Sequence, residues 1–133
     1  MKKLLVIDDS EDLLYAMQLL LSYYDFEVRT ATNNKTFLEE LELFKPAIII
    51  MDVLLNGEDD REICRSLRQN PANDGIILIL FSASSYRLKN FEECGADAII
   101  EKPFGIKELV EKINSVVQPG INKVALLINK RAY

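Results

Sequence analysis

The segment 47–52 has the sequence AIIIMD, five apolar residues followed by the carboxylate of Asp52. Three further short runs lead into polar residues in the same way: residues 4–7 into Asp8-Asp9, residues 76–81 into Ser82 and residues 98–101 into Lys102. Apolar runs without alternation are typical of parallel strands covered on both faces. Because parallel strands carry their carboxyl ends to one edge, where open α/β sheets bind ligands, the four polar ends are predicted to meet in one site.

Helical periodicity separates these strands. Residues 26–30 form a further strand-like run, residues 85–94 a less clear helix and residues 106–117 a helix with a full apolar stripe. Capping residues mark the predicted starts of three more helices: Ser10, Asn34, and Asp59 with Glu62 in a pattern resembling a capping box. Strand and helix thus alternate five times, which predicts a doubly wound α/β three-layer sandwich on a five-stranded parallel sheet.

Length, composition and charge indicate one acidic domain. The 133 residues are 49% hydrophobic and 28% charged, and the net charge of −5 argues against a nucleic-acid-binding surface. The apolar runs are far shorter than the roughly 20 residues of a membrane span. Residues 1–3 lead directly into the first strand and do not resemble a signal peptide, so a cytoplasmic location is expected.

The chain contains no histidine. Its absence excludes imidazole metal ligands, Ser-His-Asp triads and histidine general bases, and any phosphohistidine must come from another protein. Cys64 and Cys94 lie in predicted helices and are interpreted as two small, reduced hydrophobic residues.

The polar strand ends are residue types that handle phosphate and a divalent cation. Asp52 is the best candidate for a nucleophile, because it ends a central apolar strand opposite the other groups. Asp9 and Asp52, with one backbone carbonyl, would hold Mg²⁺ (or Mn²⁺), a hard cation that takes oxygen ligands and water. Lys102 would pair with a phosphoryl oxygen, and Ser82 would bond to another, with Ala83 leaving room beside it.

Each of these residues also has a purely structural interpretation. Asp8 and Asp9 could cap the first helix, and Ser82 could be an ordinary strand-end hydroxyl. Lys102 could be a salt-bridge partner of Asp52 with no phosphate involved. A buried carboxylate without partners is unfavourable, however, and the four strand ends together favour a functional site.

Asp8-Asp9, Asp52, Ser82-Ala83 and Lys102-Pro103-Phe104 together resemble the receiver domain of bacterial two-component response regulators, of the CheY-like type. The resemblance extends over residues 2–117, with every element in order. It implies a flavodoxin-like sheet order of 2-1-3-4-5, with the switch point between the first and third strands.

The resemblance also implies roles and partners. A sensor histidine kinase or a histidine phosphotransfer protein would phosphorylate Asp52, with Mg²⁺ held partly by the backbone carbonyl of Leu54 and, mainly through water, by Asp8. The domain would be no enzyme beyond its own phosphorylation and dephosphorylation. A downstream protein would read the phosphorylated state, and the domain would be a monomer or a weak dimer through the fourth-helix, fifth-strand and fifth-helix face. The Lys102–Pro103 peptide is expected to be cis.

The chain departs from the receiver pattern at the switch position. Receivers often carry an aromatic residue three positions before the lysine, and here that residue is Ile99. The usual rotamer switch is therefore not assumed, and Tyr86 is a possible substitute. Leu54 and Ser84 lie where side chains could tune the lifetime of an aspartyl phosphate.

Residues 1–118 are predicted to form the receiver domain. Residues 119–133 would be a C-terminal extension, either an extra helix, the start of a linker or a tail. A phosphorylation-independent protein-interaction module is the main alternative function. A flavin-binding module is disfavoured because the acidic segment 8–12 would repel the flavin phosphate, and an aspartyl phosphatase is disfavoured because its nucleophile should end the first strand.

Overall fold

The computed structural model describes residues 2–55, 58–59, 61–83 and 91–117. In chain order the elements are β1 (Lys2–Ile7), α1 (Glu11–Ser22), β2 (Phe26–Ala31), α2 (Asn34–Phe44), β3 (Ile48–Asp52), β4 (Leu54–Leu55), β5 (Glu58–Asp59), α3 (Arg61–Gln69), β6 (Ile77–Ser82), β7 (Ala98–Glu101) and α4 (Ile106–Val117). Short 3-10 turns lie at Pro71–Asn73 and Phe91–Cys94.

Five strands form one parallel sheet in the order β2-β1-β3-β6-β7, which is the predicted order 2-1-3-4-5 when only these strands are counted. The connections change direction between β1 and β3. Ile7 pairs with Met51 across these neighbouring strands, so the residues that follow, Asp8 and Asp52, come side by side at the carboxyl edge. The flavodoxin-like fold is confirmed.

The sheet divides the apolar core into two layers, because successive side chains of a strand point to opposite faces. Ile48 and Ile50 pack in the layer under α1 and α4. Ile49 and Met51 pack in the layer under α2 and α3. Every residue of β3 is buried, which explains why this strand carries no alternation in the sequence.

The helix starts agree with the sequence in one case and differ in two. Ser10 caps α1, and its hydroxyl accepts a hydrogen bond from the Leu13 N–H at 3.2 Å, as predicted. The cap of α2 is Asn33 rather than Asn34, because the Asn33 side chain accepts the hydrogen bond from Thr36. The predicted capping box at Asp59 is wrong, since Asp59 pairs with Leu54 in the β4–β5 ladder and α3 begins only at Arg61.

The fourth helix predicted from the sequence, residues 85–94, falls in the connection between β6 and β7. Its last four residues form a 3-10 turn that ends at Gly95, which has a φ of 92°. Residues 84–90, including Ser84 and Tyr86, lie outside the described residues, as does the predicted extension 119–133. The Lys102–Pro103 peptide is cis, as expected. Within the described part of the chain, no helix has the length and apolar character needed to cross a membrane.

Candidate functional site

Three carboxylates meet at the carboxyl edge of the sheet. Asp8, Asp9 and Asp52 each offer one carboxylate oxygen, and these oxygens lie within 4.8 Å of one another. Asp8 and Asp52 are buried, with 1% and 6% of their surface exposed, whereas Asp9 is exposed. The adjacency of β1 and β3 brings them together, as the sequence predicted.

Lys102 bridges two of these carboxylates from the end of β7. Its Nζ lies 2.7 Å from Asp8 Oδ2 and 3.2 Å from Asp52 Oδ2. The salt bridge between Lys102 and Asp52, which was the structural alternative for this lysine, is present, and Asp8 shares it. Among the residues that the structure describes, three carboxylates and one ammonium meet in this cluster, so negative charge is in excess there, and two of the acids are buried.

The ammonium of Lys102 is held in its charged form. Burial by itself lowers the pKa of Lys102, but its hydrogen bond to Asp8 and the charges of Asp52 and Asp8 together raise the pKa above its ordinary value. Nζ also lies 4.6 Å from the ring centre of Phe81, a cation–π distance. The Phe81 ring in turn meets Phe104 edge to face, with the two ring centres 5.9 Å apart. Lys102 is thus oriented by two acids and an aromatic face.

Asp8 is fixed by both of its carboxylate oxygens. Oδ1 accepts a hydrogen bond from the Ser10 N–H at 2.7 Å, and Oδ2 accepts one from Lys102. Its backbone N–H donates to the Ala31 carbonyl at 3.1 Å. Ser10, not Asp8 or Asp9, caps α1, so Asp8 supports the start of the helix indirectly while facing the cluster.

Ser82 and Ala83 follow the neighbouring strand at the same edge. Ser82 is buried and ends β6, one residue beyond Phe81, which is the register partner of Asp52. The Lys102 N–H donates to the Ser82 carbonyl at 2.9 Å, which joins the ends of β6 and β7. Ala83 is exposed.

Leu54 and Ile99 occupy the two remaining positions singled out in the sequence. Leu54 begins β4, two residues beyond Asp52. Ile99 is partly buried and packs against the core layer under α2 and α3, opposite Leu80 in the register of β6 and β7. The switch position therefore carries an aliphatic side chain already in contact with the core.

Sequence reasoning missed the aromatic support of Lys102 and the contact between the two cysteines. In the sequence Phe81 is the last apolar residue of a strand-like run, and Phe104 is part of the Lys102-Pro103-Phe104 motif. The position of Phe81 directly before Ser82, at the end of its strand, is the sequence signal that could have indicated an aromatic ring in contact with the Lys102 ammonium. Cys64 and Cys94 lie side by side in the core, and their spacing in sequence carries no sign of this.

The comparisons with known proteins agree with the geometry. The family model of the response regulator receiver domain matches residues 4–114. The alkaline phosphatase synthesis transcriptional regulatory protein PhoP of Bacillus subtilis is 30% identical over 117 residues, which cover 88% of this chain and 49% of PhoP. The chain thus spans about half the length of this curated relative.

Solved structures show the same fold. A response regulator from Chloroflexus aurantiacus, described as putative, superposes with a TM-score of 0.78 at 29% identity, over 86% of this chain and 96% of that one. The chemotaxis response regulator CheY4 of Vibrio cholerae superposes with a TM-score of 0.79 at 22% identity, over 87% of this chain and 98% of that one.

Proposed function

Because this chain belongs to the response regulator receiver family of two-component signalling, we propose that its acidic edge accepts a phosphoryl group on Asp52. The observation that carries the proposal is the cluster itself: three carboxylates within 4.8 Å, with Lys102 bonded to two of them. A receiver domain is not a conventional enzyme. The only reactions proposed here are phosphorylation and dephosphorylation of its own aspartate.

Asp52 is the proposed nucleophile because of its place and its partners. It ends the central strand β3, and its contact to Lys102 is the longer of the two, at 3.2 Å against 2.7 Å for Asp8. A carboxylate oxygen of Asp52 attacks the phosphorus of a phosphohistidine, the P–N bond breaks, and the released imidazole takes up a proton. The protein contributes position and charge neutralisation, which is most of what phosphoryl transfer requires.

The donor set fits a hard divalent cation. All three acids offer carboxylate oxygens, and their charge exceeds that of Lys102, so Mg²⁺ or Mn²⁺ suits the site. Asp9, Asp52 and the backbone carbonyl of Leu54 would hold the ion directly. Asp8 would act through a bound water, since its two oxygens already accept hydrogen bonds from Ser10 and Lys102. The bound ion supplies positive charge that neutralises the phosphoryl oxygens.

The transferred phosphoryl group would be held by the neighbouring strand ends. Lys102 would move from Asp52 to a phosphoryl oxygen, and the Ser82 hydroxyl would donate to another, with the exposed Ala83 leaving space beside it. These bonds favour one arrangement of the β6 and β7 ends, a population shift with a coupling free energy of about 1–3 kcal/mol. Ile99 lacks the ring of an aromatic switch, so the shift rests on the backbone of these segments.

The proposed partners follow from this chemistry. A sensor histidine kinase or a histidine phosphotransfer protein supplies the phosphoryl group, because the chain has no histidine of its own. A downstream protein reads the face that the receiver pattern predicts for the fourth helix, β7 and α4, through which the domain could also form a weak dimer. We place this receiver in the cytoplasm, with residues 1–118 as the domain and residues 119–133 as an extension.

Intact-mass measurement with Mg²⁺ and acetyl phosphate tests the proposed phosphorylation. The wild-type protein should gain one phosphoryl group, and Asp52→Asn should gain none. Asp25→Asn is the matched control: this exposed acid has a φ of 67°, which asparagine tolerates, and it precedes β2 at the opposite edge of the sheet. A wild type that binds Mg²⁺ but gains no mass, or an equal gain in Asp52→Asn, would overturn phosphorylation of Asp52, and the first of these outcomes would favour the phosphorylation-independent interaction module.

A further inference from the structure

Cys64 of α3 and Cys94 of the 3-10 turn form a buried thiol pair. Their Sγ atoms lie 3.2 Å apart, and the Cys64 thiol also lies 3.1 Å from the Cys94 carbonyl oxygen. Neither cysteine is in a disulfide, and the exposed fractions of Cys64 and Cys94 are 0% and 2%. A disulfide has an S–S distance of about 2.05 Å, so the two sulfur atoms need to approach by only about 1 Å.

The backbone around the two thiols is already fixed by Arg68, which lies one turn after Cys64 on α3. Its Nε donates to the Gly95 carbonyl at 2.7 Å, and its Nη2 lies 2.8 Å from Asp97 Oδ2. The Arg68 side chain lies so close to Gly95 that a Cβ at that position would collide with its Cγ. The contacts of Arg68 therefore hold the segment 94–97 against α3, and they keep Cys94 beside Cys64.

We propose that Cys64 and Cys94 are a redox modification site, which a small-molecule disulfide such as oxidised glutathione converts to a reversible intradomain disulfide. One cysteine thiolate attacks a sulfur of the oxidant and releases one thiol. The second cysteine then attacks the protein sulfur of the mixed disulfide and releases the other thiol. The protein loses two hydrogens and two electrons, and the oxidant gains them.

Burial sets the rate of this chemistry. Desolvation raises the pKa of the Cys64 thiol far above its ordinary value, and the contact with Cys94 raises it further. Because the thiolate is the reactive form, oxidation is slow while the segment 94–97 stays packed and proceeds when it opens. Oxidation is therefore slow in the packed domain, and the disulfide once formed is shielded from reductants in the same way.

The disulfide would close residues 64–94 into a loop that contains all of β6. Ser82 and Lys102 are the two residues proposed to bond the phosphoryl group, and Cys94 lies between them in the chain. The disulfide would therefore restrain the segment that links these two residues. This second step rests on the proposed function, whereas formation of the disulfide does not.

Formation of the disulfide can be tested on the full chain in glutathione redox buffers, followed by acid quenching, alkylation with N-ethylmaleimide in denaturant, where both buried thiols become accessible, and intact-mass measurement. In oxidising buffer the wild type should lose both alkylation sites, carry no glutathione and form no disulfide-linked dimer, and dithiothreitol should restore both sites. Cys64→Ser and Cys94→Ser should each keep one thiol or carry one glutathione. Retention of both alkylation sites in the wild type at equilibrium, glutathione adducts alone, or intermolecular dimers alone would overturn the proposal.

Amide spectra with beryllofluoride separate the two steps. Reduced protein should show shifts in residues 94–97 on loading, and oxidised protein should show clearly smaller shifts there, with unchanged shifts at residues 8, 9 and 52. Equal shifts in both forms would overturn the restraint but leave the disulfide site. Absence of shifts in the reduced form would count against the proposed function and not against the disulfide.

Discussion

The acidic edge of the sheet and the Arg68 cluster on α3 both join distant segments through charged side chains, but they differ in charge balance. At the acidic edge three carboxylates face the ammonium of Lys102. In the Arg68 cluster one guanidinium meets one carboxylate, Asp97, whose Oδ2 also accepts the Leu78 N–H at 2.9 Å. The remaining donors of Arg68 bond to the carbonyls of Gly95 and Asn73.

This difference separates a structural cluster from a functional one. A balanced pair in which each of the three guanidinium nitrogens donates to an acceptor stabilises the fold without a further ligand. The acidic cluster, in which negative charge exceeds positive charge among the described residues and two acids are buried, should be stabilised by an added cation. The contrast therefore predicts that changes at the two clusters respond differently to Mg²⁺.

The largest effect is expected from Lys102→Met at low Mg²⁺. Removal of the ammonium leaves Asp8 and Asp52 buried without its charge. We expect a loss of about 3 kcal/mol in the free energy of unfolding, the low end for breaking a buried pair, because the lysine is partly exposed. Urea denaturation in EDTA and in Mg²⁺ measures it, and Mg²⁺ should recover part of the loss. Lys35→Met, at an exposed lysine of α2, is the control. Equal stability of Lys102→Met and the control in EDTA would mean that the Lys102 ammonium does not stabilise the buried carboxylates.

A smaller loss is expected at the Arg68 cluster from Gly95→Ala. Gly95 has a φ of 92°, and an added Cβ would collide with the Arg68 side chain. Left-handed backbone alone costs roughly 1–2 kcal/mol for a residue with a Cβ, so a loss of about 2 kcal/mol is expected. Gly75→Ala is the matched control, because a Cβ there meets nothing within 4 Å. The loss should be the same with and without Mg²⁺, and a loss that Mg²⁺ reverses would show that the two clusters are not independent.

Most of the acidic edge could be predicted from the sequence. Its residues end strands, and the topology of a parallel sheet brings strand ends to one edge whatever the details of packing. Asp8, Asp52 and Lys102 therefore meet as expected. The cap of α2 was missed by one residue because Asn33 and Asn34 are equally good capping residues, and only the backbone decides between them.

The Arg68 cluster and the cysteine pair could not be predicted in this way. Their contacts depend on how α3 packs against the segment 94–97, and neither the spacing of Cys64 and Cys94 nor the position of Arg68 carries a periodic signal of that packing. Asp59 illustrates the same limit, since its pairing in β5 overrode a local capping pattern. The periodicity of apolar residues indicates the sheet topology. The packing of an irregular segment against a helix depends on the shapes of the side chains in contact, which leave no periodic pattern in the sequence.

The smallest effect on stability, and the sharpest test of the contrast, is expected from Asp9→Asn. Asp9 is the exposed member of the acidic cluster, so its loss should change the free energy of unfolding in EDTA by no more than about 0.5 kcal/mol. Its proposed role is to bind the cation, and Mg²⁺ affinity should fall about tenfold or more, which corresponds to about 1.4 kcal/mol. Calorimetric titration and the rise of Tm with Mg²⁺ measure this affinity, with Asp12→Asn as the control.

An unchanged Mg²⁺ affinity in Asp9→Asn would mean that Asp9 is not a ligand of the cation. Any cation binding at this edge would then be due to the excess negative charge alone.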